Sequence, residues 1–353
     1  MKIAIRADGN KNIAIGHLRR CMTIAHELER RGAELLFILA DEESGEIFQK
    51  LCEMEGTEAH SLLLGNAPDA GLKELPALLA AVKEQKVDLL LADSYAFGLD
   101  YYTELRRILP ESVKLACIDD LHAFDPPVDL LINYDVNIPK DFYSAGTQLL
   151  GASYAPLRRQ FSESGFVIRE KARRFFLTSG GTDPYRVLGK ILDSICSIYA
   201  EDPKADHFIC DVVIGPLFDE AYKRELRAFA EKNNDIFLHE NVSDMASLMK
   251  NCDVAVSAGG TTVFELCAIG VPSIVFSMAD NQIDFAHAFH KAGGVWYIGD
   301  ARKDPGLAGR IISQGRMAVY DTNMRREMSS RAHALVDGKG AERIAETILE
   351  LIC

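Results

Sequence analysis

Residues 253–276 read DVAVSAGGTTVFELCAIGVPSIVF. The apolar run DVAVSA enters a Gly259-Gly260 turn. Thr261 and Thr262 open a segment with apolar residues at helical spacing, and VPSIVF starts the next apolar run. This is strand, glycine turn, helix, strand: the unit of a parallel sheet covered by helices on both faces. The same grammar extends both ways. RRFFLTSGG (173–181) is a strand entering a second glycine turn, followed by a predicted helix from about Pro184 to Tyr199. FICDVVIG, IFLHENV and VWYIGD supply further strands. Nearer the N-terminus, KIAIRAD (2–8), ELLFILA (34–40), VDLLLADSY (87–95), VKLACIDD (113–120) and VDLLINYD (128–135) read as strands. The helix after the first of them carries Leu18, Cys21, Met22, Ala25 and Leu28, and stops at Gly32. A charged, weakly periodic stretch at 156–172 separates the two series and is predicted as a linker. The fold class is therefore α/β, with two doubly wound domains, 1–155 and 173–340, facing across a cleft. AERIAETILELIC (341–353) adds an amphipathic helix.

With 353 residues the chain is long enough for two cores. Its formal net charge is −13, and neither half is basic, which argues against nucleic acid and anionic membranes as partners. Eight scattered cysteines form no C-x-x-C, the N-terminus becomes charged at once, and no run of 18 apolar residues exists. These features predict a reduced, cytoplasmic protein without membrane insertion.

Ligands of open parallel sheets bind beyond the carboxyl ends of the strands, so the residues after each strand are the candidates. After the first comes RADGNKNIAIGHLRRC, with Asp8 and then Gly16-His17 at a helix start. The positive end of a helix dipole favours the neutral imidazole, the form a general base needs, although a histidine there can equally be packing. In SGGTDP (179–184), Gly180 and Gly181 bare the backbone for a phosphate, or simply turn the chain into a helix. Gly259, Gly260, Thr261 and Thr262 form the best anion-binding candidate, where bare backbone, hydroxyls and a helix N-terminus converge. Glu265 completes Thr-x-x-Glu, which reads either as a capping box or as a carboxylate for ribose hydroxyls. Asn281 and Gln282, in ADNQ, are placed to read a sugar or to start a helix. Asp119-Asp120 reads as a sugar contact or a turn.

Together these blocks resemble the UDP-2,4-diacetamido-2,4,6-trideoxy-β-L-altropyranose hydrolases of pseudaminic acid biosynthesis and the related spore-coat polysaccharide biosynthesis proteins. The resemblance rests on IRADGNKNIAIGHLRRC, DSY (93–95), IDDL (118–121), Tyr154, Leu157 and Arg158, SGGTDP, SAGGTTVFELCAIGVPSIVF and ADNQ. It departs at INYDVN (132–137) and AFDPPVD, on the sugar side. The resemblance implies a hydrolytic relative of GT-B glycosyltransferases, with two Rossmann-like domains and the last helix returning towards the first. It implies cleavage of the C1–O bond of a UDP-amino sugar by water, with inversion. It makes His17 the catalytic base and puts Gly180, Gly181, Gly259, Gly260, Thr261, Thr262 and Glu265 on the nucleotide. It puts Asp8, Gly16, Tyr95, Asp119, Asn281 and Gln282 near sugar or phosphate. No metal or other cofactor is implied. A GT-B transferase and a nucleotide-sugar binder without catalysis are the alternatives.

Overall fold

The computed structural model describes residues 1–10, 15–139, 141–162, 165–201 and 207–353. The chain divides into two compact units, Met1–Arg158 with Lys339–Cys353, and Arg159–Gly338.

The first unit is built on β1 (Lys2–Ala7), β2 (Glu34–Leu39), β3 (His60–Leu63), β4 (Leu89–Asp93), β5 (Lys114–Ile118), β6 (Leu130–Asn133) and β7 (Thr147–Leu150). Helices α1 (Gly16–Glu29), α2 (Glu42–Glu55), α3 (Leu75–Glu84) and α4 (Leu99–Ile108) alternate with the strands. The sheet is parallel, in the order β3-β2-β1-β4-β5-β6-β7. Side chains alternate between its faces: Ala4, Leu36, Leu90, Leu115 and Leu131 pack with Leu78, Val82 and Leu105 in one core. On α1 the predicted stripe of Leu18, Cys21, Met22, Ala25 and Leu28 is buried.

The second unit repeats the plan with β8 (Arg174–Thr178), β9 (Ile209–Val213), β10 (Ile236–His239), β11 (Val254–Ala258), β12 (Ser273–Ser277) and β13 (Trp296–Asp300). Its helices are α5 (Val187–Glu201), α6 (Glu220–Lys232), α7 (Met245–Lys250), α8 (Thr262–Ile269), α9 (Asn281–Lys291), α10 (Leu307–Tyr320) and α11 (Thr322–Leu335). Its parallel order is β10-β9-β8-β11-β12-β13. Each sheet thus starts at a central strand, grows to one side, then crosses to the other. The order reverses between β1 and β4, and again between β8 and β11. These two crevices are where such sheets bind ligands.

The expectation of two doubly wound α/β domains holds, with differences in detail. Sequence reading passes over β3 and β7. Both are four-residue edge strands, and β3 is mostly exposed, so neither carries a continuous apolar run. The stretch expected as a linker, 156–172, is not a free connector. The division falls at 158/159, and Phe161 and Ala172 are buried in the second unit, where Gln160 Oε1 accepts the Ala246 N–H at 3.2 Å. Residues 163–164 lie outside the described residues. Helix α5 starts at Val187 rather than Pro184, because Arg186 adopts φ +51° and Asp183 caps the N–H groups of Val187 and Leu188.

The last helix, α12 (Gly340–Ile352), packs on α1 and on residues 152–154. Ala341, Ile344, Ala345 and Ile348 are its buried stripe, and Arg343 Nη1 donates to Ser153 O at 2.8 Å. Gly340 permits this approach: a Cβ there would lie 2.2 Å from Ala155 O. Gly340→Ala is expected to loosen α12 and destabilise the first unit by about 1–3 kcal/mol, the cost of overpacking against backbone that cannot yield. Amide exchange should accelerate across 340–352, and unchanged exchange would show that the helix absorbs the methyl by shifting.

Candidate functional site

In the first unit the chemistry gathers at the reversal between β1 and β4. Helix α1 starts at Gly16, which places His17 on its first turn, 5% exposed. Asp93 ends β4 directly beside Ala7 of β1. Its carboxylate is fully buried, and Oδ1 lies 2.8 Å from His17 Nδ1. Burial alone would raise the Asp93 pKa. The Arg20 guanidinium and the His17 ring outweigh it and hold the carboxyl well below the usual range. An ionised carboxylate has no proton to give, so His17 Nδ1 is the donor and the lone pair belongs to Nε2. No described residue bonds that second nitrogen.

Arg20, one turn further along α1, grips Asp93 with two bonds, Nε to Oδ2 at 2.6 Å and Nη2 to Oδ1 at 2.5 Å. Nη2 also stands 2.9 Å from His17 Nδ1, since both groups donate to the same oxygen. From its other side, Nη1 donates to Asp120 and, at 2.6 Å, to the Tyr134 hydroxyl. Tyr95 lies edge-on to the His17 ring, centroids 4.3 Å apart, and its hydroxyl donates to Asp120 at 3.1 Å.

Of the residues singled out from sequence here, His17 and Tyr95 meet in this cluster, and Gly16 is the exposed first residue of α1. Residues 11–14 of the opening block lie outside the described residues. Asp8 and Asp119 are placed differently from the expectation. Asp8 is buried, with Oδ2 accepting from Arg6 at 2.6 Å and Oδ1 from the Ala40 N–H at 2.7 Å, so both oxygens serve the fold. Asp119 accepts from Leu121 N, Ala123 N and the Tyr143 hydroxyl, which makes it a turn residue. Its neighbour Asp120 enters the cluster instead. Sequence reading named Asp120 beside Asp119 but missed Asp93, Arg20 and Tyr134 as members of this cluster. Asp93 had a signal: it ends an apolar strand, where ligands of such sheets bind.

In the second unit both glycine turns lie at the reversal, one after β8 and one after β11. Gly180 has φ +81°, and the turn is seated on Gly215, where a Cβ would lie 2.3 Å from Gly180 O. Gly181 O accepts the Leu217 N–H at 3.0 Å. The Ser179 hydroxyl is buried without a hydrogen-bond partner. It stands one residue beyond the Thr178–Ser257 pair of β8 and β11. Such a group requires an explanation, because a buried unsatisfied hydroxyl costs free energy.

Gly259 has a packing reason to be glycine: a Cβ would come 3.3 Å from Gln282 at the start of α9. Gly260 faces open space. Helix α8 begins at Thr262, and the preceding Thr261 makes no side-chain cap bond. Glu265 is therefore the fourth residue of the helix, not the third, and the capping-box spacing is not met. Asn281 is exposed at the head of α9. Gln282 Oε1 accepts the Met278 N–H at 2.8 Å, closing the turn before the helix. Among the described residues no group of three or more His, Cys, Asp or Glu is arranged to hold a metal ion, and no helix is long and apolar enough to cross a membrane.

Residues 212–348 match the glycosyltransferase family 28 C-terminal domain. The chain is similar to the spore coat polysaccharide biosynthesis protein SpsG of Bacillus subtilis, 24% identical over 361 residues covering 99% of this chain and 98% of that protein. It is also 24% identical over 302 residues to the UDP-2,4-diacetamido-2,4,6-trideoxy-β-L-altropyranose hydrolase of Campylobacter jejuni, covering 83% of this chain and 97% of that protein. Among solved structures, MurG of Acinetobacter baumannii superposes with a TM-score of 0.68 at 13% identity, over 99% of both chains.

Proposed function

Because the chain belongs to the GT-B superfamily, in the group that includes SpsG and the altropyranose hydrolases, we propose that it hydrolyses a UDP-linked amino sugar to UDP and the free sugar. The observation that carries this reading is the Asp93–His17 pair at the β1/β4 reversal. With Nδ1–H held by Asp93, His17 Nε2 takes a proton from water. The water oxygen bonds to C1, the C1–O bond breaks, and its electron pair leaves with the diphosphate. Asp93 does not take the proton; it steadies the imidazolium that forms. In the second unit, backbone N–H groups of the two glycine turns and the N-terminus of α8 meet the charge that grows on the departing UDP. The Ser179 hydroxyl is a further donor there.

The family 28 match favours one alternative, transfer of the sugar to an acceptor other than water. Incubation with a panel of UDP-amino sugars, UDP-2,4-diacetamido-2,4,6-trideoxy-β-L-altropyranose among them, separates the readings. UDP release in buffer alone is the expected result. Release only after an acceptor is added would mean a transferase, and a UDP-sugar that survives intact would mean a binding protein. A single displacement gives a product of opposite anomeric configuration, visible by NMR before mutarotation. Retention would sink the direct attack of water.

Glu265 is proposed to accept the vicinal ribose hydroxyls. Glu265→Gln is expected to weaken UDP binding by about 1.5–3 kcal/mol, the range for hydrogen bonds to a charged group. Calorimetric titration with UDP checks this, and parental affinity in the variant would remove Glu265 from the nucleotide. A melting curve recorded beside the titration separates a lost ribose contact from a loss of folded protein.

A further inference from the structure

The Arg20 guanidinium lies between two carboxylates, and only one of them belongs to the base pair. Asp93, fully buried, holds His17; Asp120, partly exposed, touches Arg20 but has no bond to the ring. Arg20 alone would cancel the charge of Asp93. Asp120 cancels Arg20 in turn. With a neutral ring the four groups carry a net −1, and with an imidazolium they are neutral. We propose that Asp120 is a positioning residue for the base: by offsetting Arg20 it leaves Asp93 a full negative charge with which to stabilise the protonated ring. This deepens the reading of His17 as the base and rests on it.

The groups around the cluster leave that balance intact. From α1, the Cys21 thiol donates to Asp93 at 3.4 Å. Cys117 on β5 and Tyr102 on α4 also interact with Asp93, and Tyr134 follows β6. Burial pushes all four well above their ordinary values, so none carries charge near neutral pH. Tyr95 and Tyr134 direct their hydroxyls to Asp120 at 3.1 and 3.3 Å and add dipoles, not charge. Asp119 is tied into its own turn. Asp135, after β6, is a further acidic neighbour of Asp120, and burial raises its own pKa.

The test is the pH dependence of kcat/KM for Asp120→Asn and Asp120→Glu, with UDP-2,4-diacetamido-2,4,6-trideoxy-β-L-altropyranose as substrate. A base that must be unprotonated gives the parent an acidic limb. Removing the charge of Asp120 makes protonation of the base harder, so the limb should move to lower pH by about one unit, as expected for losing a nearby charge. The plateau should fall about 3–10-fold, since a weaker base is a poorer catalyst. Asp120→Glu should restore the limb, while UDP affinity stays parental in both variants. A purely structural Asp120 would lower the plateau and leave the limb where it was, and that result, in a variant with a parental melting curve, overturns the proposal. Failure of the base reading looks different: the parent shows no acidic limb, or His17→Asn keeps it.

Discussion

His17→Asn is expected to lower turnover about 10²–10⁴-fold, the contribution of a positioned general base. UDP affinity should stay parental, because the proposed nucleotide residues belong to the other unit. Asp93→Asn should fall in the same range for a different reason. The carboxylate selects the tautomer with the proton on Nδ1. An amide can donate its NH2 to Nδ1 instead, which reverses the tautomer and places the ring proton on Nε2, the nitrogen that must accept one. The two effects should not add, since both remove the same base. Rates are read by coupled UDP release, and affinity by calorimetry. Near-parental turnover in His17→Asn on the best substrate of the panel would remove it from catalysis. A double variant much slower than either single one would mean that Asp93 has a separate role.

Glu74→Ala is expected to cost the first unit about 3–5 kcal/mol, the usual result of breaking a buried ion pair on one side. Arg6 and Glu74 are both fully buried at the carboxyl end of β1 and the start of α3. Arg6 Nε and Nη2 donate to the two Glu74 oxygens at 2.9 and 2.7 Å, and the Tyr101 hydroxyl adds a bond at 2.7 Å. Nη1 goes to Asp8, whose own pKa burial pushes upward in spite of Arg6. Without Glu74, the guanidinium has one carboxylate where it had two, and its Nε and Nη2 groups lose their acceptors. The urea midpoint of the first unit should drop while that of the second stays. A loss below about 1 kcal/mol would show that Asp8 alone compensates Arg6.

These two clusters also show where sequence reading stops. The strands of both cores, the stripe on α1 and the two glycine turns are legible locally, because a parallel sheet under helices demands apolar runs and a tight turn demands glycine. His17 is legible too, as a histidine on a helix that follows the first strand. The edge strands are not, since β3 buries little and has no apolar signature. Asp8 shows the limit most clearly. Its place after β1 suits a ligand contact, yet its partners are Arg6 and the Ala40 N–H, and the second of these is 32 residues away.

The sequence by itself therefore determined the fold class, the two restarted sheets and the strand ends where ligands belong, because those follow from periodicity over a few residues. Tertiary structure alone decided which charges meet there. His17 finds Asp93 across 76 residues, Arg20 finds Asp120 across 100, and Arg6 finds Glu74 across 68. An acidic residue after a strand looks the same in sequence whether it closes a turn, as Asp119 does, or balances an arginine, as Asp120 does. Only the order of the strands in the sheet, which puts β4 beside β1 and β5 beside β4, separates them.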